Sequence, residues 1–254
     1  MDKENNLFIK YPGYKKLYEC FMELAETDAQ KEAIDQIMKN GEYNGYKLNS
    51  MLSNETYSDK SERNRRINFC EMILFDNDLF DCLVNNGLNI FHGTKIDALQ
   101  TILSKGLFSS SELKEKGIQL STGEEHTTNQ IFDNNIEKRN FISLTDDFNT
   151  AALYACFSYE EQIEFYMKNF GESLKKDENV PIIICFNGND IKREYGKSLV
   201  NVKSTCNEIG VTTSINSSNV KCIITSYDKV EYVKSITSKF GFDVLGYNLY
   251  DKFK

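Results

Sequence analysis

The chain is poor in the residues that most often announce a binding chemistry. Its 254 residues include no tryptophan, two prolines and two histidines, His92 and His126. With two imidazoles and no His/Cys/Asp cluster at ligand spacing, no metal centre is expected. The seven cysteines are Cys20, Cys70, Cys82, Cys156, Cys185, Cys206 and Cys222. They are odd in number and contain no C-x-x-C pair, which argues against a zinc knuckle or a disulfide framework and for buried thiols in a reducing compartment. There is no G-x-x-x-x-G-K-[ST] and no G-x-G-x-x-G, so the phosphate-cradling P-loop and the dinucleotide fingerprint of a Rossmann domain are both missing. No apolar run approaches membrane-spanning length, and Met1–Asn6 leads into no signal-peptide stretch, so a cytoplasmic chain without membrane contact is expected. Basic excess is lacking too. At a formal charge of -8 the chain is a poor generic polyanion binder, because non-specific nucleic-acid affinity comes mainly from basic surface.

What is present suffices for a core. Hydrophobic residues make up 40% and aromatic residues 12% of the chain, and its length allows one large domain or a smaller one with an extension. The N-terminal third carries helical periodicity. After a break at Pro12-Gly13, Leu17, Cys20, Phe21 and Leu24 recur on one face. Thr27 and Gln30 have capping-box spacing ahead of a helix that stops at Asn40-Gly41. Glu42 to Tyr57 reads as loop. A third helix is expected from Ser58 to Asn85, with Arg63, Arg65 and Arg66 on its first half as a charged face or a phosphate contact.

From Leu88 the pattern turns to alternating strands and helices. The run Leu88-Asn89-Ile90-Phe91 predicts a strand that ends at His92-Gly93-Thr94. A helix follows, for which Thr94 and Asp97 have capping-box spacing and Gly106 the position of a terminating glycine. Ser109–Gly117 reads as a short helical piece, and Ile118 to Arg139 as a long polar loop of the kind that is more often functional than decorative. Phe141–Thr145 predicts a strand, with Asp146 or Asn149 capping a helix that runs to Gly171. Pro181–Phe186 is apolar throughout and reads as a central strand. Further strands are expected at Leu199–Val202, Glu208–Thr213 and Val220–Thr225, then a helix from Asp228 to Lys239 and an edge strand at Phe242–Leu245. The fold class implied is α+β, with a helical region over 1–87 and a mixed-sheet domain over 88–254.

Three segments carry more chemistry than the rest. They are F-H-G-T followed by a helix, F-I-S-L-T-D-D-F-N-T-A-A-L-Y-A, and N-E-I-G-V-T-T-S-I-N-S-S-N-V-K-C-I-I, in that order. Together they resemble the ADP-ribosyltransferase superfamily, most closely its histidine-bearing branch that includes the poly(ADP-ribose) polymerases, in a bacterial or phage-type form. The resemblance spans about Leu88 to Thr225 and implies a split β-sheet domain that takes NAD as substrate, without metal. It implies that His92 bonds a ribose hydroxyl, that the Gly93 backbone meets the nicotinamide carboxamide and that Tyr154 stacks on the nicotinamide ring. Glu208 takes the place of the catalytic acid, favouring the oxocarbenium-like state formed as nicotinamide leaves. Thr94, Ser143 and Thr145 complete the expected cleft. Ser143 stands where the polymerases usually carry a tyrosine; with Thr145 it is similar to the serine-threonine-serine strand of the arginine-bearing toxin branch.

The resemblance therefore implies mono-ADP-ribosylation rather than polymer synthesis, with a protein target preferred for an acidic chain. Nucleic acid guided by Arg63, Arg65 and Arg66, water as acceptor in an NAD glycohydrolase, and a non-catalytic binding module are the alternatives. A toxin, effector or phage-conflict role is an analogy. Each residue also has an architectural reading: His92 as a bonded core histidine, Tyr154 as a helix-face aromatic, Glu208 as a solvated strand end, and Ser143 and Thr145 as cross-strand polar pairs.

Overall fold

The computed structural model describes residues 6–40, 48, 76–118, 141–157, 179–201 and 208–249. The chain divides into two compact units, Met1–Asp81 and Cys82–Lys254.

In the first unit, helix α1 spans Leu7–Lys10, α2 Pro12–Leu24, α3 Asp28–Lys39 and α4 Asn77–Phe80. Pro12 does not break a helix but opens α2, occupying its first turn where a missing N–H costs nothing. The expected capping box is present: Gln30 N–H donates to Thr27 Oγ1 at 3.2 Å and Thr27 N–H to Gln30 Oε1 at 3.1 Å. Tyr14, Leu17, Phe21, Ile34, Met38 and Leu48 form the core of this unit. The third helix does not run unbroken to Asn85. Asp76 is extended and caps a fresh helix through Leu79 N–H, after which Asp81–Asn85 continue as a π-turn. Residues 58–75, with Arg63, Arg65 and Arg66, lie outside the described residues.

The second unit is built on one seven-stranded mixed sheet, so the fold is α+β. Its elements are β1 (Leu88–Lys95), α5 (Ile96–Lys105), α6 (Ser110–Glu115), β2 (Ile142–Thr145), α7 (Phe148–Cys156), β3 (Pro181–Asn187), α8 (Gly188–Tyr195), β4 (Leu199–Asn201), β5 (Glu208–Val211), β6 (Val220–Ser226), α9 (Val230–Thr237) and β7 (Asp243–Tyr247). The strand order is β4-β5-β2-β1-β3-β6-β7. Neighbours are antiparallel except β6 and β7, which run parallel and are joined through α9. As expected from its apolar run, β3 is interior, and Ile182, Ile183, Ile184, Cys185 and Phe186 are fully buried.

Side-chain alternation sorts the sheet into two faces. Ile90, Ile142, Leu144, Ile182, Ile184, Phe186, Val211 and Ile223 share one cluster with Ala98, Leu99, Ile102 and Leu103 of α5 and Val233 of α9. The opposite face carries Phe91, Gly93 and Lys95 and receives α7.

Several local expectations are corrected. The Thr94–Asp97 capping box does not form. β1 continues through Lys95, which pairs with Pro181, so Thr94 is held in the ladder opposite Ile182. The helix N-cap is Lys95, with no side-chain cap, and the Ile96 N–H donates instead to Val180 O at 3.1 Å. Neither Asp146 nor Asn149 caps α7. Asp147 between them does, accepting from Asn149 N–H and Thr150 Oγ1. The helix expected over Asp228–Lys239 is α-helical only across Val230–Thr237, with 3-10 turns on both sides. Helix α8, capped by Asn187, was not anticipated. Gly106 ends α5 as expected, at φ 100°, and a Cβ there would also meet the Ile215 carbonyl oxygen at 2.5 Å. The helix expected to run on to Gly171 ends instead at Cys156, where Phe157 turns extended; the Ile118–Arg139 loop beyond Ile118, Val202 and residues 158–171 lie outside the described residues. Cys20, Cys156, Cys185 and Cys222 are buried free thiols, and Cys82 is half-buried.

The packing sets one expectation for stability. Ile184 has no exposed surface and lies in the cluster beneath α5. Ile184→Ala is predicted to lower the unfolding free energy by about 2–5 kcal/mol, the range for a buried aliphatic truncation. A loss below about 1 kcal/mol in urea denaturation would mean that this strand is not the packed centre.

Candidate functional site

The site forms where two central strands stop pairing. On one side β1 is registered to β3 from Leu88↔Asn187 to Lys95↔Pro181. On the other side its register with β2 is the single pair Phe91↔Thr145, although β1 continues to Lys95 and β2 begins at Ile142. The two strands therefore face each other over several residues without a shared ladder, which leaves backbone groups and side chains at the split.

His92 stands at this split. Its Nδ1 lies 2.8 Å from the Ser143 carbonyl oxygen. Because a carbonyl can only accept, Nδ1 carries the proton, and in the neutral ring Nε2 is left as an acceptor. Desolvation lowers the His92 pKa below its ordinary 6.5, opposed in part by the bond to Ser143. The ring is therefore neutral at pH 7, which suits an acceptor rather than a cationic role.

Ser143 joins two of the expected residues. Its backbone oxygen fixes His92, and its hydroxyl donates to Glu208 Oε1. Glu208 opens β5, is 7% exposed, and sits opposite Thr145 in the β2–β5 ladder. It is therefore not a solvated strand end but a buried acid with a designated donor. Thr145 is buried as well, and its Oγ1 accepts the Asp147 N–H at 3.0 Å. That bond bends the chain from β2 into α7, so the Thr145 hydroxyl is engaged in the turn rather than facing the split. Asn207, the neighbour of Glu208 in the third motif, lies outside the described residues.

Gly93 and Tyr154 meet through helix packing. A Cβ on Gly93 would fall far inside contact distance of the Ala151 carbonyl oxygen and 3.0 Å from Tyr154 Cβ. The glycine is needed because α7 lies directly on β1, a close approach that no other residue permits. Tyr154 is half-buried and follows by one turn the residue that touches Gly93. Phe91 meets Phe148 edge to face, with centroids 5.4 Å apart. Thr94 is half-buried opposite Ile182, in the strand rather than at a helix cap.

His92, Ser143 and Glu208 are thus linked by hydrogen bonds, Gly93 and Tyr154 by packing, and all lie within one region of the second unit. Sequence reasoning missed two contributors: the backbone carbonyl of Ser143, which has no sequence signature, and Lys95. Lys95 is 6% exposed, and its ammonium donates to Ala155 O at 2.7 Å and Phe157 O at 3.4 Å. A lysine two residues beyond Gly93 in the sequence gives little hint of this. Among the described residues no group of three His, Cys, Asp or Glu side chains is arranged to hold a metal.

Neither a scan against models of protein families nor a comparison with curated protein sequences gives a match.

Two outcomes follow from this geometry. The His92 imidazole is predicted to titrate below its ordinary 6.5 in an NMR titration, with the proton of its neutral form on Nδ1. Its depressed folded pKa means that the unfolded chain binds the proton first. The associated stability is present above pH 6.5 and declines as pH falls from there through the folded pKa. His92→Gln removes that slope; a ring titrating at or above 6.5 contradicts the effect of burial, and a neutral ring protonated on Nε2 contradicts the tautomer assignment. Gly93→Ala, which forces α7 off β1, is predicted to cost on the order of 1–3 kcal/mol by thermal unfolding. A neutral effect would show that the helix has room to give.

Proposed function

We propose that the protein is an NAD-dependent mono-ADP-ribosyltransferase that transfers ADP-ribose to a protein target and releases nicotinamide. The observation that carries this reading is the convergence on Ser143, whose carbonyl holds His92 and whose hydroxyl holds Glu208. These three residues come from three separate motifs, spaced along the chain in the order the family resemblance requires. The split beside β1, with a neutral imidazole acceptor on it and an acid one strand away, suits a ribose with free hydroxyls.

In this reading the His92 Nε2 accepts from a ribose hydroxyl, and the Gly93 backbone pairs with the nicotinamide carboxamide. Tyr154 offers an aromatic face to the flat, cationic nicotinamide ring. Glu208 bonds the hydroxyl of the nicotinamide ribose, and its negative charge favours the cationic sugar that develops as the glycosidic bond breaks. The bonding pair leaves with nicotinamide, which departs neutral, so no strong general acid is needed there. The acceptor atom then forms the new bond to the anomeric carbon, and its proton passes to Glu208 or to solvent. Ser143 holds Glu208 in place by donating its hydroxyl to one carboxylate oxygen.

A protein acceptor is favoured by the acidic chain, since a charge of -8 repels a polyanion outside any local basic patch. No helix among the described residues is long and apolar enough to cross a membrane. We place the reaction in a cytoplasm, the cell's own or that of a target into which the protein is delivered as a toxin or effector.

Incubation with NAD labelled on the ADP-ribose moiety, in cell lysate, separates the acceptors. Label in protein is the expected result. Label in nucleic acid moves the acceptor, and label only in free ADP-ribose makes the protein an NAD glycohydrolase. Glu208→Gln is predicted to reduce NAD consumption by about 10²–10³-fold, the usual cost of removing one preorganised electrostatic partner. No consumption by the wild type would leave only a non-catalytic binding module.

A further inference from the structure

Lys95 has a place in the fold that the reading above does not use. Three residues of β1 on the α7 face meet three points on the helix. Phe91 meets Phe148, Gly93 meets Ala151, and Lys95 meets Ala155 and Phe157. The two repeats are commensurate: two strand residues advance about 6.6 Å, and three to four helical residues about 4.5–6 Å. Strand and helix are therefore held together at successive steps, and Tyr154 lies on the turn bracketed by the last two of them.

The third fixture is chemically different from the others. The last carbonyls of a helix have no partner within it and carry the negative end of its dipole. α7 has no glycine C-cap: Phe157 leaves the helix in extended conformation, at φ -125°. The Lys95 ammonium supplies donors from the neighbouring strand instead. At 6% exposure, and so close to two carbonyls, it is a buried cation serving as a cap. A surface lysine of the same sequence would do nothing of the kind.

We infer that Lys95 is a positioning residue: by tying the last turn of α7 to β1, it sets where Tyr154 meets the nicotinamide ring, and hence the affinity for NAD. The inference rests on the proposed NAD reading for its substrate, while the tether itself stands on geometry alone. A stacking contact is made with the ground state as much as with the transition state. Its misplacement therefore raises KM and leaves kcat in place. Simple loss of folded enzyme does the reverse, lowering apparent kcat at unchanged KM.

The test uses the full chain carrying Lys95→Met and Lys95→Arg. Hydrogen exchange of the unliganded protein is expected to speed up at least about tenfold at Leu153–Phe157 in Lys95→Met, with β3 and β6 amides unchanged. In Lys95→Arg, which keeps cationic donors, protection is expected to be retained. With NAD, Lys95→Met is expected to raise KM about tenfold with kcat held within about twofold, the most that a weakened stacking contact produces. Unchanged exchange at Leu153–Phe157 overturns the tether. A fall in kcat at constant KM overturns the positioning role, even if exchange rises. If Lys95→Met does not fold, Lys95→Gln is read at the same amides, with faster exchange again expected and wild-type protection again contradictory. A wild type that consumes no NAD defeats the substrate reading and the positioning role with it, while the exchange measurement still decides the tether.

Discussion

The second unit depends on one close approach, the seating of α7 against β1 at Gly93. A helix normally stands off a sheet by the length of the side chains between them. Here the missing Cβ lets the Ala151 carbonyl and the Tyr154 stem come directly onto the strand. The small residues Ala151, Ala152 and Ala155, all fully buried, are the helix's half of the same arrangement. Because α7 follows β2 after a two-residue turn held by Thr145 and capped by Asp147, its position also fixes where β2 begins to part from β1. The helix packing and the split between the strands are thus two consequences of one constraint.

At that split two polar side chains converge on Ser143. The neutral imidazole donates from Nδ1 to the Ser143 carbonyl, and the Ser143 hydroxyl turns to the acid on the next strand. Burial works on His92 to keep it uncharged, so the acid beside it is not neutralised by a cationic neighbour in this network. Ser143 makes this link from a single residue, backbone to histidine and side chain to acid.

Much of this was legible in the sequence, for identifiable reasons. The β3 run was readable because six successive apolar residues fit only an interior strand, and the Thr27–Gln30 box because its chemistry is local. Gly93 was singled out, but as bare backbone for a ligand; its contact with Ala151 lies 58 residues away and leaves no periodic trace. The Thr94–Asp97 spacing misled because a capping box competes with strand pairing. Here the ladder to Ile182 and Pro181 holds Thr94 and Lys95 extended. Asp147 was passed over for its neighbours because three polar residues within four positions, Asp146, Asp147 and Asn149 around Phe148, offer equivalent caps until the strand end is fixed. Lys95 was invisible for a simple reason: a lysine reads as solvated unless a helix end happens to lie over it.

The central claim is that the split beside β1 receives the nicotinamide end of NAD, between Tyr154, Gly93 and Glu208. A crystal structure of the Glu208→Gln protein with NAD bound addresses it most directly, since the substitution preserves shape while slowing cleavage. The account predicts the nicotinamide ring against Tyr154, its carboxamide on the Gly93 backbone, a ribose hydroxyl on His92 Nε2, and the nicotinamide ribose beside residue 208. NAD bound elsewhere on the molecule, or a nicotinamide ring turned away from Tyr154 and residue 208, would contradict it.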